Sequence, residues 1–235
     1  MSKALEGHTV QRYDGELNHL HMQVVKMASL ALDQTKRALY AFHNKDITTA
    51  NLVIEREQQV DGLELAVDEE VIATIARRAP VARDLRVIMS FSKAVTDLER
   101  IGDESAKISH LSKAIFDNEG SDPSTHILRD VTSMGAIVLS MLQEAIEIFD
   151  QLDVTRAEIL AKNHNGLDIE FQSSLRRLTT FVLEDARNVG HTISIVLILK
   201  ALERIGEHAR NLAEYVIYLV NGVDIRHPES QASKE

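Results

Sequence analysis

The sequence predicts an all-α protein built as two tandem, pseudo-symmetric three-helix bundles, six long helices in all. Three observations predict it. Apolar residues recur at steps of three and four through nearly the whole chain, which is the helical period. Breakers are sparse, with 10 Gly and 3 Pro in 235 residues, so the elements are long. A five-residue segment also occurs twice: Leu98-Glu99-Arg100-Ile101-Gly102 returns as Leu202-Glu203-Arg204-Ile205-Gly206, 104 residues on.

The first helix begins near Tyr13 and carries the stripe Leu17, Leu20, Val24, Met27, Ala31, Ala38 and Phe42. Asn44-Lys45-Asp46 ends it, and Asp46 is suited to cap the second helix with Thr49 at the third position. The second stripe runs Ala50, Val53, Val60, Leu63, Val67, Val71 and Ile75. Arg77-Arg78-Ala79-Pro80 closes that helix, since proline cannot donate to the preceding turn. The third helix is expected from Ala82 to Phe116, with Leu85, Ile88 and Met89, Val95, Leu98, Gly102, Ala106 and Ile115 facing inward. Residues 117–123 read as a linker, which places the two bundles at 10–117 and 124–222. The fourth helix covers about Ile127–Phe149, and Asp153 caps a fifth over Val154–Leu183. A weak point at Glu184–Asn188 precedes the sixth, which Asn221-Gly222 stops.

The repeat extends beyond the five identical residues. Asp61-Gly62-Leu63-Glu64 matches Asn165-Gly166-Leu167-Asp168 at the same offset, and Phe42–Asp46 resembles Phe149–Asp153 at an offset of 107. Gly102 and Gly206 fall inside helices, where glycine costs roughly 0.5–1 kcal/mol relative to alanine. Their recurrence beside apolar positions marks them as helix-crossing glycines.

Composition narrows the function. There is no Cys, which excludes disulfides and thiolate metal sites. A formal net charge of −10 argues against a nucleic-acid partner, because the phosphate backbone requires a positive surface. No stretch of 18 apolar residues is free of charge; Ile193–Leu199, the best candidate, is far too short, so no membrane insertion is expected. The first residues lack the apolar core of a signal peptide, in keeping with a cytoplasmic chain. No phosphate-binding loop, dinucleotide fingerprint or H-E-x-x-H occurs, so no catalytic residues, organic cofactor or enzymatic activity are expected.

The acids carry the site. Glu99 and Asp103 lie four apart on one helix face, as do Glu203 and Glu207, and Glu64 with Asp68. Asp61 is one turn before Glu64. Like charges at this spacing repel and need an offset. Arginines supply one alternative, since Arg77, Arg78, Arg83, Arg86 and Arg100 share the first repeat and Arg176, Arg177, Arg187, Arg204 and Arg210 the second. A hard cation held by carboxylate oxygens across helices is the other. The second half keeps Asp168 but has Asn165 and Gln172 where the first has Asp61 and Asp68, so the first cluster is the stronger. His164 and His208 add nitrogen ligands only in the second half. Oxygen-rich ligation points to Mg, Mn or Fe, ferric included, and disfavours Zn.

These motifs are familiar together. Ala79-Pro80-Val81-Ala82-Arg83-Asp84-Leu85-Arg86, Asp97-Leu98-Glu99-Arg100-Ile101-Gly102-Asp103, Leu202–Glu207 and Asn211–Tyr218 resemble the PhoU family of bacterial phosphate-uptake accessory regulators, over about residues 10–227. The resemblance implies two symmetric three-helix bundles, a cytoplasmic and often dimeric protein, and no catalysis. It implies negative regulation of the phosphate-starvation response and of phosphate uptake. The protein would act as an adaptor between the ATPase subunit of the phosphate ABC transporter and a sensor histidine kinase. Family metal clusters carried to this chain fall on Glu64, Asp68, Glu99 and Asp103, and on Asp168, Glu203 and Glu207, although Asn165, Gln172 and Glu207 depart from the pattern. Arg83, Arg86, Arg100 and Arg204 are candidates to face a partner. The alternative reading is a metal-binding or metal-storage helical bundle.

Overall fold

In the computed structural model, the described residues are 11–116, 125–162, 165–184 and 189–225. The expected linker at 117–123, the chain ends, His164 and Arg187 lie outside them. The helices are α1 (Gln11–Asn44), α2 (Ile47–Arg78), α3 (Ala82–Phe116), α4 (Thr125–Gln151), α5 (Val154–Lys162), α6 (Asn165–Glu184) and α7 (Val189–Asn221). The fifth expected helix is thus described as two segments, α5 and α6, on either side of residues 163–164. The architecture is two pseudo-symmetric three-helix bundles, α1–α3 and α4–α7, with α5 and α6 together standing for α2.

The corner between the first two helices of each bundle shows why the halves fold alike. Lys45 and Leu152 both adopt the left-handed conformation, with φ of 55° and 53°. The amide that follows each of them, Asp46 N or Asp153 N, closes back on Ala41 O or Ile148 O at 2.9 and 3.1 Å. Asp46 then accepts from Thr49 N at 3.0 Å, and Asp153 from Arg156 N at 3.1 Å. Each aspartate satisfies an orphan donor of the next helix, as the sequence expects.

Equivalent helices meet across a pseudo-two-fold axis: α3 packs on α7, and α1 on α4. Arg86 reaches Leu219, Asp97 reaches Asn211 and Glu104 reaches Arg204, so α3 and α7 run antiparallel. One apolar core passes through both bundles. The α1 stripe is inside as expected, with Leu17, Leu20, Val24, Met27, Ala31 and Ala38 fully buried. On the other side of that interface, His21 lies between Phe91 and Phe149, 5.9 Å from each ring, and hydrogen-bonds Phe149 O at 3.2 Å near the end of α4.

The α3 stripe requires a correction. Leu85 and Met89 are exposed, not inward, while Val87, Phe91 and Ala94 are buried. Helix α3 is covered by α1, α2 and α7 at once. Its buried arc is therefore wider and rotated relative to a helix with a single apolar stripe. A second difference concerns α4. Leu128–Gln151 is long and apolar enough, by length and composition, to cross a membrane. Here it is a core helix, with Val131, Met134, Val138, Leu142, Ala145 and Ile148 turned into the bundle.

Candidate functional site

Helix α2 presents Glu57, Asp61, Glu64 and Asp68 at successive turns toward α3, which contributes Glu99 and Asp103. One carboxylate oxygen from each of Asp61, Glu99 and Asp103 lies within 4.8 Å of the other two. Asp61 and Glu99 are half-buried and Asp103 is exposed. Among the described residues no lysine or arginine pairs with any of the three. The arginine-paired alternative for this cluster is therefore not what forms. Arg78 instead holds Glu16, at 2.7 Å.

Burial and crowding raise the glutamates of this group. Burial, then the Asp103, Glu64 and Asp61 carboxylates, pushes the Glu99 carboxyl up to about 7. Burial and Asp68 raise Glu64, while burial and Asp103 raise Glu57. Asp68 sits at the edge of the group and accepts from Ser92 Oγ at 3.0 Å. Three oxygens from two helices, with no imidazole or thiolate among them, form a donor set that could hold a metal ion.

The second half does not repeat this arrangement. Lys200, at the position equivalent to Thr96, forms an ion pair with Glu203 and stands 5.5 Å from the Phe171 ring centre. Thr96 in the first half is a neutral hydroxyl near Glu64 that donates to Ser92 O at 3.3 Å. A resident ammonium thus replaces a neutral hydroxyl beside the duplicated glutamate. Asp168 and Glu207 are exposed and do not join Glu203 in a three-acid group. His164 and the Asn165 side chain lie outside the described residues.

The duplicated glycines let the helices of each bundle approach. A Cβ on Gly102 would lie 3.2 Å from Val60 of α2, and one on Gly206 would run into Leu167 of α6. Of the four arginines, Arg86 donates to Leu219 O at 3.3 Å at the end of α7, where a cation suits the helix dipole. Arg204 donates to Glu104 at 2.7 Å, and Arg100 lies 4.0 Å from Asp97. Arg83 is exposed.

Sequence reasoning missed the polar seam between α3 and α7. Asp97 is buried and accepts from Tyr215 OH at 2.6 Å, His208 Nδ1 at 2.7 Å and Asn211 Nδ2 at 3.4 Å. Beside it a polar cleft of about 390 Å³ is lined by Arg100, Asp103, Glu104, Arg204, Glu207 and His208. These are three pairs of equivalent residues, each 104 apart, so the cleft straddles the pseudo-two-fold. The available signal was an acid, Asp97, on the apolar side of the α3 stripe.

The PhoU domain model matches the chain twice, over residues 24–111 and 131–216, one match per bundle. The chain belongs to the PhoU family. It is 38% identical over 224 residues to the phosphate-specific transport system accessory protein PhoU homolog of Pseudomonas aeruginosa, covering 95% of this chain and 91% of that one. The PhoU protein of Escherichia coli K12 is 32% identical, with 95% and 91% covered. The crystal structure of PhoU from Pseudomonas aeruginosa superposes with a TM-score of 0.85 at 38% identity, over 90% of this chain and all of that one. The PhoU regulatory protein from Streptococcus pneumoniae shares the fold, with a TM-score of 0.81 at 24% identity over 90% of this chain and 98% of that one. This PhoU-family chain is accordingly a non-catalytic helical regulator of phosphate transport. Its α2–α3 acids are a group that could hold a metal ion.

Proposed function

We propose that the chain is a cytoplasmic negative regulator of the phosphate-starvation response and of phosphate uptake. It acts as an adaptor between the ATPase subunit of the phosphate ABC transporter and its sensor histidine kinase, and as a homodimer. The observation that carries this reading is the end-to-end relationship, in both bundles, with proteins named as accessories of phosphate-specific transport. A deletion strain tests it: alkaline phosphatase should be constitutive at high phosphate. Normal repression in that strain overturns the reading. Pull-downs of the ATPase subunit and the kinase at high and low phosphate test the adaptor role.

The acidic group at Asp61, Glu99 and Asp103 serves this function as a cation site, with Glu64 and Asp68 flanking it. Unpaired carboxylates and the raised Glu99 carboxyl support that assignment. A bound Mg, Mn or Fe ion offsets the repulsion between α2 and α3. One three-acid group among the described residues suits a bound effector better than stored cargo. In the second half Lys200 does the same work permanently, so Asp168, Glu203 and Glu207 are not expected to take a metal.

A further inference from the structure

Helix α2 leaves its outward face uncovered. Leu65 and Ile72, two turns apart on one edge of that face, are 64% and 68% exposed. Gly62, Ala66, Glu69, Ala73 and Ala76 are exposed beside them, at steps of three and four. A Cβ on Gly62 would meet nothing within 4 Å, so no neighbour within the chain requires a glycine there. Gly62 opens instead onto a groove of about 640 Å³ between α1 and α2, lined also by Lys26, Ser29, Leu30, Gln59 and Leu63.

The charge on this face is one-sided. From Ile47 to Ala76 the helix carries seven carboxylates and a single cation, Arg56, which Asp33 of α1 holds at 3.1 Å. The Leu65–Ile72 edge lies between the acids turned toward α3, Asp61 and Asp68, and the outward acids Glu55 and Glu69. Glu55 and Glu69 are exposed, form no ion pair among the described residues and stand outside the three-acid group. The second half keeps the shape and drops the charge. Gly166 and Ile169, the latter 63% exposed, repeat Gly62 and Leu65 at the offset of 104, while Ser173 and Arg176 replace Glu69 and Ile72.

We propose that the outward face of α2 docks a basic amphipathic helix of a partner protein. Its apolar side chains lie against Leu65 and Ile72 and enter the groove at Gly62, and its lysines or arginines meet Glu55 and Glu69. A groove between two helices receives a third through anchors at helical spacing. Unpaired acids beside exposed apolar residues select a basic counterpart. The same acids repel an anionic bilayer and nucleic acid. A second copy of this chain offers no such helix, since none of its described helices has more than one Lys or Arg in excess of its acids. The inference names a chemistry and does not depend on the two partners proposed above.

Photo-crosslinking in cells tests it, with p-benzoylphenylalanine in the full chain at Ile72, or at Ile169 as the counterpart that lacks the acids. Adducts from Ile72 are expected on one segment of one partner protein, with apolar residues at helical spacing and an excess of Lys and Arg. Glu55→Lys with Glu69→Lys should cut their yield about tenfold while thermal unfolding stays that of the unaltered chain. Gly62→Ala should cut the yield as well, although the folded chain gains stability from that change. Adducts on an acidic segment, on lipid, on a second copy of this chain, or on nothing overturn the proposal. Equal labelling of the same segment from Ile169, or a yield that survives the charge reversal, overturns it too.

Discussion

His208 Nδ1 donates to the Asp97 carboxylate at 2.7 Å across the α3–α7 seam, joining two helices that belong to different bundles. Asp97 is buried, and Tyr215 OH and Asn211 also converge on it. Removing the carboxylate leaves three polar groups without their acceptor. Asp97→Ala should lower unfolding stability by about 3 kcal/mol, read by urea denaturation. His208→Ala removes one donor of three and should cost less, about 1–2 kcal/mol.

The glycines separate crossing from chance. A Cβ on Gly62 meets nothing within 4 Å, so Gly62→Ala should raise stability by about 0.5–1 kcal/mol. Gly206→Ala drives a methyl into Leu167 and should lower it, by about 1 kcal/mol or more. Thermal unfolding of both variants decides between them.

Ala79 ends α2 in the left-handed conformation, φ 45°, which an L side chain adopts at a cost. Ala79→Gly should therefore stabilise slightly, by about 0.5 kcal/mol, after glycine's added unfolded-state entropy is subtracted. The same change at buried Ala94, inside α3, should destabilise by about 1 kcal/mol or more. Denaturation midpoints check the opposite signs.

The Glu99 carboxyl has a definite pH signature. Raised from its ordinary 4.5 to about 7, it keeps its proton longer in the folded chain than in the unfolded one. Its contribution to stability is full below 4.5 and is lost as pH climbs to about 7. A cation must displace that proton, so affinity for Mn should rise between pH 6 and 8. Titration calorimetry at several pH values reads the slope, and Glu99→Gln should flatten it.

Lys200 suggests how to silence the first half. Thr96→Lys places an ammonium where the second half has one. Cation affinity should fall at least tenfold, and added Mn should no longer raise the melting temperature. Retained Mn binding in that variant would show that an ammonium at this position does not stand in for the cation.

Much of this was legible in the residues. The corner aspartates Asp46 and Asp153 act locally, so their roles follow from capping chemistry, and the duplication of Gly102 and Gly206 inside helices marked the close crossings. Glu99 and Asp103 share a face for the same reason. Asp61 entered the three-acid group ahead of Glu64 and Asp68 because the α2–α3 register, not the spacing within α2, decides which turn faces Glu99. Asp97 and His208 are 111 residues apart, and their pairing depends on the antiparallel crossing of α3 and α7. The role of Lys200 was hidden because i,i+3 spacing permits its pair with Glu203 without requiring it, and its contact with Phe171 depends on how α6 packs on α7. Leu85 and Met89 misled because a helix covered on three sides has no single stripe.

The central claim is that two copies of one fold have diverged, so that only the first assembles a cation site. Calorimetric titration of Mn into three forms tests it most directly: the unaltered chain, the pair Asp61→Asn with Glu99→Gln, and the pair Glu203→Gln with Glu207→Gln. One site per chain, abolished in the first pair and unchanged in the second, is the predicted result. Equal loss in both pairs, or two equivalent sites in the unaltered chain, would contradict it.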